Sequence, residues 1–144
     1  MIVLDTNVVS ELMRAEPAAA VLTWFDAQPP SEPGITAITA AEIRYGRMSM
    51  PPGRRRDRLE LNADEVFGLF PDRVLPFDGR AAAAYAEILC HREAIGRPMD
   101  GFDAQIAAIC LIHGAVLATR NVRDFADTGV RVVDPWAALQ VDDG

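Results

Sequence analysis

Ile2-Val3-Leu4-Asp5-Thr6-Asn7 opens the chain with three apolar residues that stop abruptly at an acid. A run this short, apolar without alternation and rich in β-branched side chains, predicts a strand buried on both faces of a parallel sheet. Comparable runs recur at 35–38, 74–77, 116–119 and 130–133, and helical patterns fill the intervals. The clearest spans 78–95, with Asp78 as candidate N-cap, Tyr85, Ile88, Leu89 and Ile95 at helical spacing, and Gly96 at its end. The next runs over 101–113 and stops at Gly114, and others read at 18–27, 40–47 and 54–70, separated by Pro29-Pro30, Pro33 and Pro51-Pro52. Strand–helix alternation along the whole length predicts one three-layer α/β/α domain over 1–136, built on a mostly parallel sheet of about five strands. A short acidic tail, 137–144, follows.

Composition narrows the chemistry. The 144 residues are 50% hydrophobic and 24% charged, enough for one compact core and too few for a second domain. A net charge of −7 argues against gripping a polyanion through the protein's overall field, so any contact with nucleic acid must be local. All 14 basic residues are arginine. Without lysine there is no Schiff base, no phosphate-loop amine and no Ser-Lys pair. The N-terminus has no signal-peptide pattern, and the most apolar stretch, 104–118, is interrupted by Gln105, His113 and Gly114, short of the roughly 20 residues of a membrane span. A cytoplasmic protein without a membrane segment is expected. Cys90 and Cys110 both fall in apolar helical segments, where free thiols are expected to be buried as small hydrophobes.

In open parallel sheets, ligands bind beyond the carboxyl ends of the strands. Asp5 follows the first strand directly, and Asn121 follows the fourth, with Asp124 three residues on. Glu42 and Asp103 read as first-turn residues of helices starting near 40 and 101. Convergence of these five on one edge would suit a hard cation, which takes oxygen ligands and relieves carboxylate repulsion. Each has a local reading as well. Thr39 and Glu42 have capping-box spacing, Asp100 and Asp103 share it, and acids in a first turn are favoured by the helix dipole. Asp5 suits an Asx turn or the N-cap of a short helix, and Asp124 a cap before Phe125. Asp103, however, heads a segment, 104–111, apolar nearly all round, and a charge entering a sandwiched helix is the kind of local conflict found at sites.

Four stretches together resemble the PIN-domain ribonucleases, and among them the VapC-type toxins of bacterial toxin–antitoxin pairs, especially the FitB-like branch. They are Ile2-Val3-Leu4-Asp5-Thr6-Asn7-Val8-Val9-Ser10-Glu11, Ile38-Thr39-Ala40-Ala41-Glu42-Ile43-Arg44-Tyr45-Gly46, Asp103-Ala104-Gln105-Ile106-Ala107-Ala108 and Ala118-Thr119-Arg120-Asn121-Val122-Arg123-Asp124-Phe125. The resemblance implies a PIN-like fold and Mg²⁺- or Mn²⁺-dependent endonucleolytic cleavage of RNA, with Asp5, Glu42 and Asp103 as the acidic triad and Asp5 and Asp103 holding the metal most directly. Thr6, Asn7 and Thr119 would support these ligands. Where many relatives carry a fourth acid, this chain has Asn121, which ligates only through a neutral oxygen; Asp124 is a candidate replacement. The resemblance also implies a VapB-like antitoxin that inhibits the active site, a toxin homodimer, and a heterotetramer or larger complex with the antitoxin.

The one dense basic run, Arg54, Arg55, Arg56 and Arg58, reads either as a solvated helix face or as a contact for RNA or antitoxin. Tyr45, Phe102 and Phe125 are the candidates for base stacking, but core packing is the expectation for both phenylalanines. Trp24 and Trp136 read as core or dimer-interface anchors. His91 and His113 lie in helical patterns, His113 at a helix end where the dipole favours it. Rival carboxylate chemistries fit poorly. A haloacid-dehalogenase phosphatase needs an acid where Asn7 stands, a response-regulator receiver needs a lysine, no Gly-x-Gly turn occurs, and none of the three serines sits in a nucleophile elbow. A PIN-fold module that binds RNA or protein without cutting is the remaining alternative.

Overall fold

In the computed structural model, residues 1–70 and 72–137 are described. Strands β1 (Ile2–Leu4), β2 (Pro33–Thr36), β3 (Val74–Leu75), β4 (Val116–Ala118) and β5 (Val132–Val133) pair in parallel in the order β3-β2-β1-β4-β5. Six helices connect them: α1 (Thr6–Leu12), α2 (Ala19–Asp26), α3 (Ala37–Met48), α4 (Arg54–Gly68), α5 (Gly79–Ala94) and α6 (Gly101–His113). The expected three-layer α/β/α architecture is the one observed.

The period of two along the strands sorts the core into two halves. Val3 and Leu117, paired across β1 and β4, face α5 and α6 and pack with Ile88, Ile106 and Ile109. Leu4 and Ala118, the next pair, face the opposite side and pack with Val8, Val21, Ile43, Val66 and Phe70 from α1 to α4. Helix α6 buries Ala104, Ile106, Ala107, Ala108, Ile109 and Cys110, as its all-round apolar pattern predicts. It ends at Gly114, which takes the left-handed conformation (φ 60°) that side chains disfavour.

Element boundaries moved where side chains capped helices. The second strand ends at Thr36 rather than residue 38, because the Thr36 hydroxyl accepts from the Thr39 amide (3.1 Å) and starts α3 at Ala37. Thr39 is therefore inside the helix, the expected capping box with Glu42 does not form, and Glu42 lies in the second turn. Thr36 is fully buried, so Thr36→Ala leaves the Thr39 amide without its acceptor. A loss of about 1 to 2 kcal/mol is expected, largely restored by Thr36→Ser, as urea denaturation would measure. The fifth strand pairs only over Val132–Val133, while Val130 packs on the core without pairing.

Two further expectations fail on exposure. Cys90 is on the outer face of α5 and exposed, whereas Cys110 is buried and its thiol is pushed up to about 12 by burial. Phe102, expected in the core, is 58% exposed because it lies in the first turn of α6, beyond the sheet; Phe125 is buried. Trp24 and Trp136 are half-buried against the α1–α4 side of the core. His91 and His113 are exposed in the last turns of α5 and α6, His113 at the helix end where the dipole favours it. Apart from Ala137, the tail read at 137–144 lies outside the described residues. Among the described residues no helix is long and apolar enough to cross a membrane.

Candidate active site

A doubly wound sheet opens a crevice where successive connections leave in opposite directions. The chain passes from β1 to β2 and β3 on one side, then returns to β4 on the other, so the switch point lies between β1 and β4. Asp5 and Thr119 are the first residues beyond those two strand ends. The Asp5 amide donates to the Ala118 carbonyl (2.9 Å), and the Thr119 hydroxyl donates to Asp5 Oδ2 (2.7 Å), which also accepts from Asn7 Nδ2 (3.4 Å). Asp5 Oδ1 accepts from the Thr6 amide (2.8 Å), so the N-cap reading of Asp5 holds together with its place at the crevice. The carboxyl is only 4% exposed, and burial pushes it above the usual carboxylate range against the pull of the Thr119 and Thr6 hydrogen bonds.

Glu42 reaches the same crevice from the second turn of α3, where its Oε1 accepts from the Thr6 hydroxyl (3.3 Å). Burial raises its carboxyl, the Thr6 bond opposes this, and the charges of Asp5 and Asp100 add to it. Asp103 arrives from the first turn of α6. That helix leads directly into β4, so its N-terminus stands toward the carboxyl edge of the sheet. Asp100 caps it, accepting from the Phe102 (2.9 Å) and Asp103 (3.2 Å) amides. The Asp103 carboxyl is pushed up to about 6, first by burial and then by the charges of Asp5, Asp100, Asp124 and Glu42. Four of the five expected positions are thus close enough to press on one another electrostatically. Asn121 is exposed, and its amide donates to Thr119 Oγ1 (3.0 Å). Asp124 is not a cap: it lies within the 3₁₀ turn Val122–Phe125 and lines a small cleft with Arg92, Pro98, Met99, Asp100 and Asp103.

The supporting residues form one chain of hydrogen bonds. Asn7 Nδ2 donates to Thr119 Oγ1 (3.2 Å), its Oδ1 accepts from the Arg120 amide (3.2 Å), and the Thr6 and Thr39 hydroxyls meet at 3.1 Å. Thr39 has no supporting role in the sequence reading, because its part in holding Thr6 against Glu42 depends on a contact between residues 33 positions apart. Glu11, at the end of the opening motif, serves the α1–α2 turn instead, accepting from the Ala18 amide (3.0 Å) and pairing with Arg14. The basic run stands apart from the carboxylates. Arg54, Arg55 and Arg58 are exposed on α4, and Arg56 pairs with Glu60 (3.3 Å).

The PIN domain family model matches residues 2–130. The chain belongs to the PIN-domain family. The PIN domain here is 44% identical to a VapC ribonuclease of Sinorhizobium fredii, over 94% of this chain and 98% of that one. It is 36% identical to the toxin FitB of Neisseria gonorrhoeae, with 94% and 99% covered. The solved structure of FitAB bound to a DNA fragment superposes with a TM-score of 0.88 at 36% identity, covering 94% of this chain and 96% of that one.

Within this PIN domain the donors at the crevice are oxygen only, drawn from carboxylates, threonine hydroxyls and an asparagine amide. Among the described residues no three His, Cys, Asp or Glu side chains are gathered tightly enough to hold a metal ion as they stand. The chemistry of the set still fits a hard divalent cation, because acids raised by burial and by one another's charges are stabilised in the charged form when a cation neutralises them. Asp5 and Asp103 would hold it, with Glu42, Asp124 and the Asn121 amide oxygen completing the set.

Proposed function

We propose that this PIN domain is a Mg²⁺- or Mn²⁺-dependent endoribonuclease and the toxin of a toxin–antitoxin pair. The observation carrying the reading is the convergence of Asp5, Glu42 and Asp103 on the switch point of the sheet, where their charges act on one another. A bound cation would supply a water of lowered pKa and offset charge on the phosphate. Glu42, half-buried and with its carboxyl raised first by burial, would orient the attacking water or take its proton. Thr6 fixes the Glu42 carboxylate, while Thr119 and Asn7 fix Asp5, so that neither must reorient during the reaction. The relatives named as ribonuclease and toxin support this reading, as does a Shigella flexneri tRNA(fMet)-specific endonuclease VapC, 27% identical over 93% of this chain.

The proposal includes a cytoplasmic VapB-like antitoxin that covers the active site. A groove between α1, α3 and α4, lined by Ser10, Met13, Ile43, Met50 and Leu59, runs up to Thr6 and Glu42 and suits an apolar segment approaching the carboxylates. Arg54, Arg55 and Arg58 on α4 offer contacts to its acidic residues or to RNA phosphates. A homodimer belongs to the same reading, with exposed Tyr45 and Phe102 supplying apolar area beside Glu42. The deciding experiment is cleavage of pooled total RNA in Mg²⁺, Mn²⁺ or EDTA, with cut sites mapped by sequencing. Discrete cuts that vanish in EDTA are expected. RNA binding that persists in EDTA without cutting would replace the nuclease by a non-catalytic binding module.

A further inference from the structure

Arg92 is a buried arginine that neither the motifs nor the proposed chemistry uses. It lies in the last turn of α5 and is 5% exposed. A buried cation ordinarily pairs with a carboxylate, yet among the described residues Arg92 forms no salt bridge. Its hydrogen-bond partners are main-chain carbonyls on two separate segments. Nε donates to Arg97 (2.7 Å), and Nη1 donates to Asp124 (3.1 Å) and Ala126 (2.6 Å). The Arg97 carbonyl belongs to the connection that leads to Asp100 and the start of α6. The Asp124 carbonyl belongs to the 3₁₀ turn, and the Ala126 carbonyl to the residue that follows it. One planar guanidinium therefore joins the segment that presents Asp103 to the segment that presents Asp124, at the cleft those two aspartates line with Asp100. A surface pair, Arg97 to Asp127 (2.9 Å), joins the same two segments from outside.

Neither segment belongs to the sheet, so no sheet hydrogen bonds set their separation. Asp103 and Asp124 also repel each other, so the structure must oppose their drifting apart. Arg92 supplies that restraint through donors of fixed geometry, which a lysine's single ammonium would not reproduce. We propose that Arg92 is a positioning residue of the site: it holds the Asp124 turn against the head of α6, so that Asp124 takes the part of the fourth carboxylate that Asn121 does not fill. The proposal rests on the metal-site reading above and adds which residue completes that site and what aligns it.

Mn²⁺ binding to the folded protein, followed by calorimetry or by loss of the free-ion resonance signal, tests this in wild type, Arg92→Lys, Asp124→Asn and the double variant. Each single change is expected to weaken Mn²⁺ binding by roughly 10-fold or more, the scale of lost support for a ligand. The double variant is expected to bind no more weakly than Asp124→Asn, since Arg92 acts through Asp124. A purely structural Arg92 would lower the apo melting temperature and leave the Mn²⁺ affinity of the folded protein unchanged, which overturns the proposal. Additive losses, or an unchanged affinity in Asp124→Asn, overturn it as well. Asp124 is exposed, so the latter variant reports even if Arg92→Lys folds poorly. Wild type that binds no Mn²⁺ overturns the metal-site reading and this proposal with it; wild-type binding that Arg92→Lys leaves intact overturns this proposal alone.

Discussion

Asp5→Asn is expected to remove RNA cleavage almost completely while leaving the protein folded. Losing one carboxylate of the metal site forfeits several kcal/mol of charge stabilisation, roughly 1,000-fold in rate. Two effects on stability oppose each other. Asparagine removes a charge that burial disfavours, as the raised Asp5 carboxyl shows. It also keeps only one acceptor oxygen, while Asp5 serves the Thr6 amide at Oδ1 and the Thr119 hydroxyl and Asn7 amide at Oδ2. The Thr119 oxygen already accepts from Asn7 and Asn121, so it cannot readily turn to receive a new donor. A net change within about 1 kcal/mol follows from hydrogen-bond terms of that size. Thermal melts paired with cleavage assays check it: a variant that cuts at the wild-type rate removes Asp5 from the chemistry, and one that unfolds makes it a structural cap.

Asp103→Asn is expected to raise stability in metal-free buffer at neutral pH, with the gain disappearing in acid. The sign follows from the folded carboxyl standing near 6 against an ordinary value of 3.8. Between those values the folded state holds more protons than the unfolded state, so stability falls as pH rises from about 4 to about 6 and stays lowered above that. The roughly two-unit shift corresponds to at most about 3 kcal/mol, and solvent screening of a half-exposed group reduces this to about 1. Asp5 and Glu42 are raised as well, so their contributions run in the same direction, whereas Glu11, lowered chiefly by the Ala18 amide, runs against them. Saturating Mg²⁺ should reverse the comparison by stabilising wild type more than the variant. Melting temperatures across pH 4 to 8, with and without Mg²⁺, decide it. A wild type whose stability rises steadily over that range in EDTA contradicts the crowded-carboxylate account.

The sites where the sequence reading failed share a cause. Thr39 to Glu42 has the spacing of a capping box, but spacing is local and the true start of α3 was set by Thr36, whose hydroxyl is buried in the sheet. Phe102 and Cys90 look like core residues in a linear pattern. Their exposure depends on how far each helix projects past the sheet and which face it turns outward. Arg92 gave no signal in sequence at all, because a basic residue in the last turn of a helix is ordinary. Its acceptors lie five to 34 positions away along the chain.

By itself the sequence determined the parallel layered architecture, the strand and helix order, and the identity of the acids at the strand and helix ends. Buried parallel strands leave uninterrupted apolar runs, helices punctuate themselves with caps and glycines, and a charge beside an apolar run is visible without coordinates. Only the tertiary structure decided which acids meet. The crossing of the chain from β3 to β4 puts Asp5 beside Thr119, and the packing of α5 and α6 brings Asp103, Asp124 and Arg92 to one cleft. Those contacts join residues far apart in the chain, and the energy that holds them there, burial of apolar surface across two helical layers, belongs to no single segment.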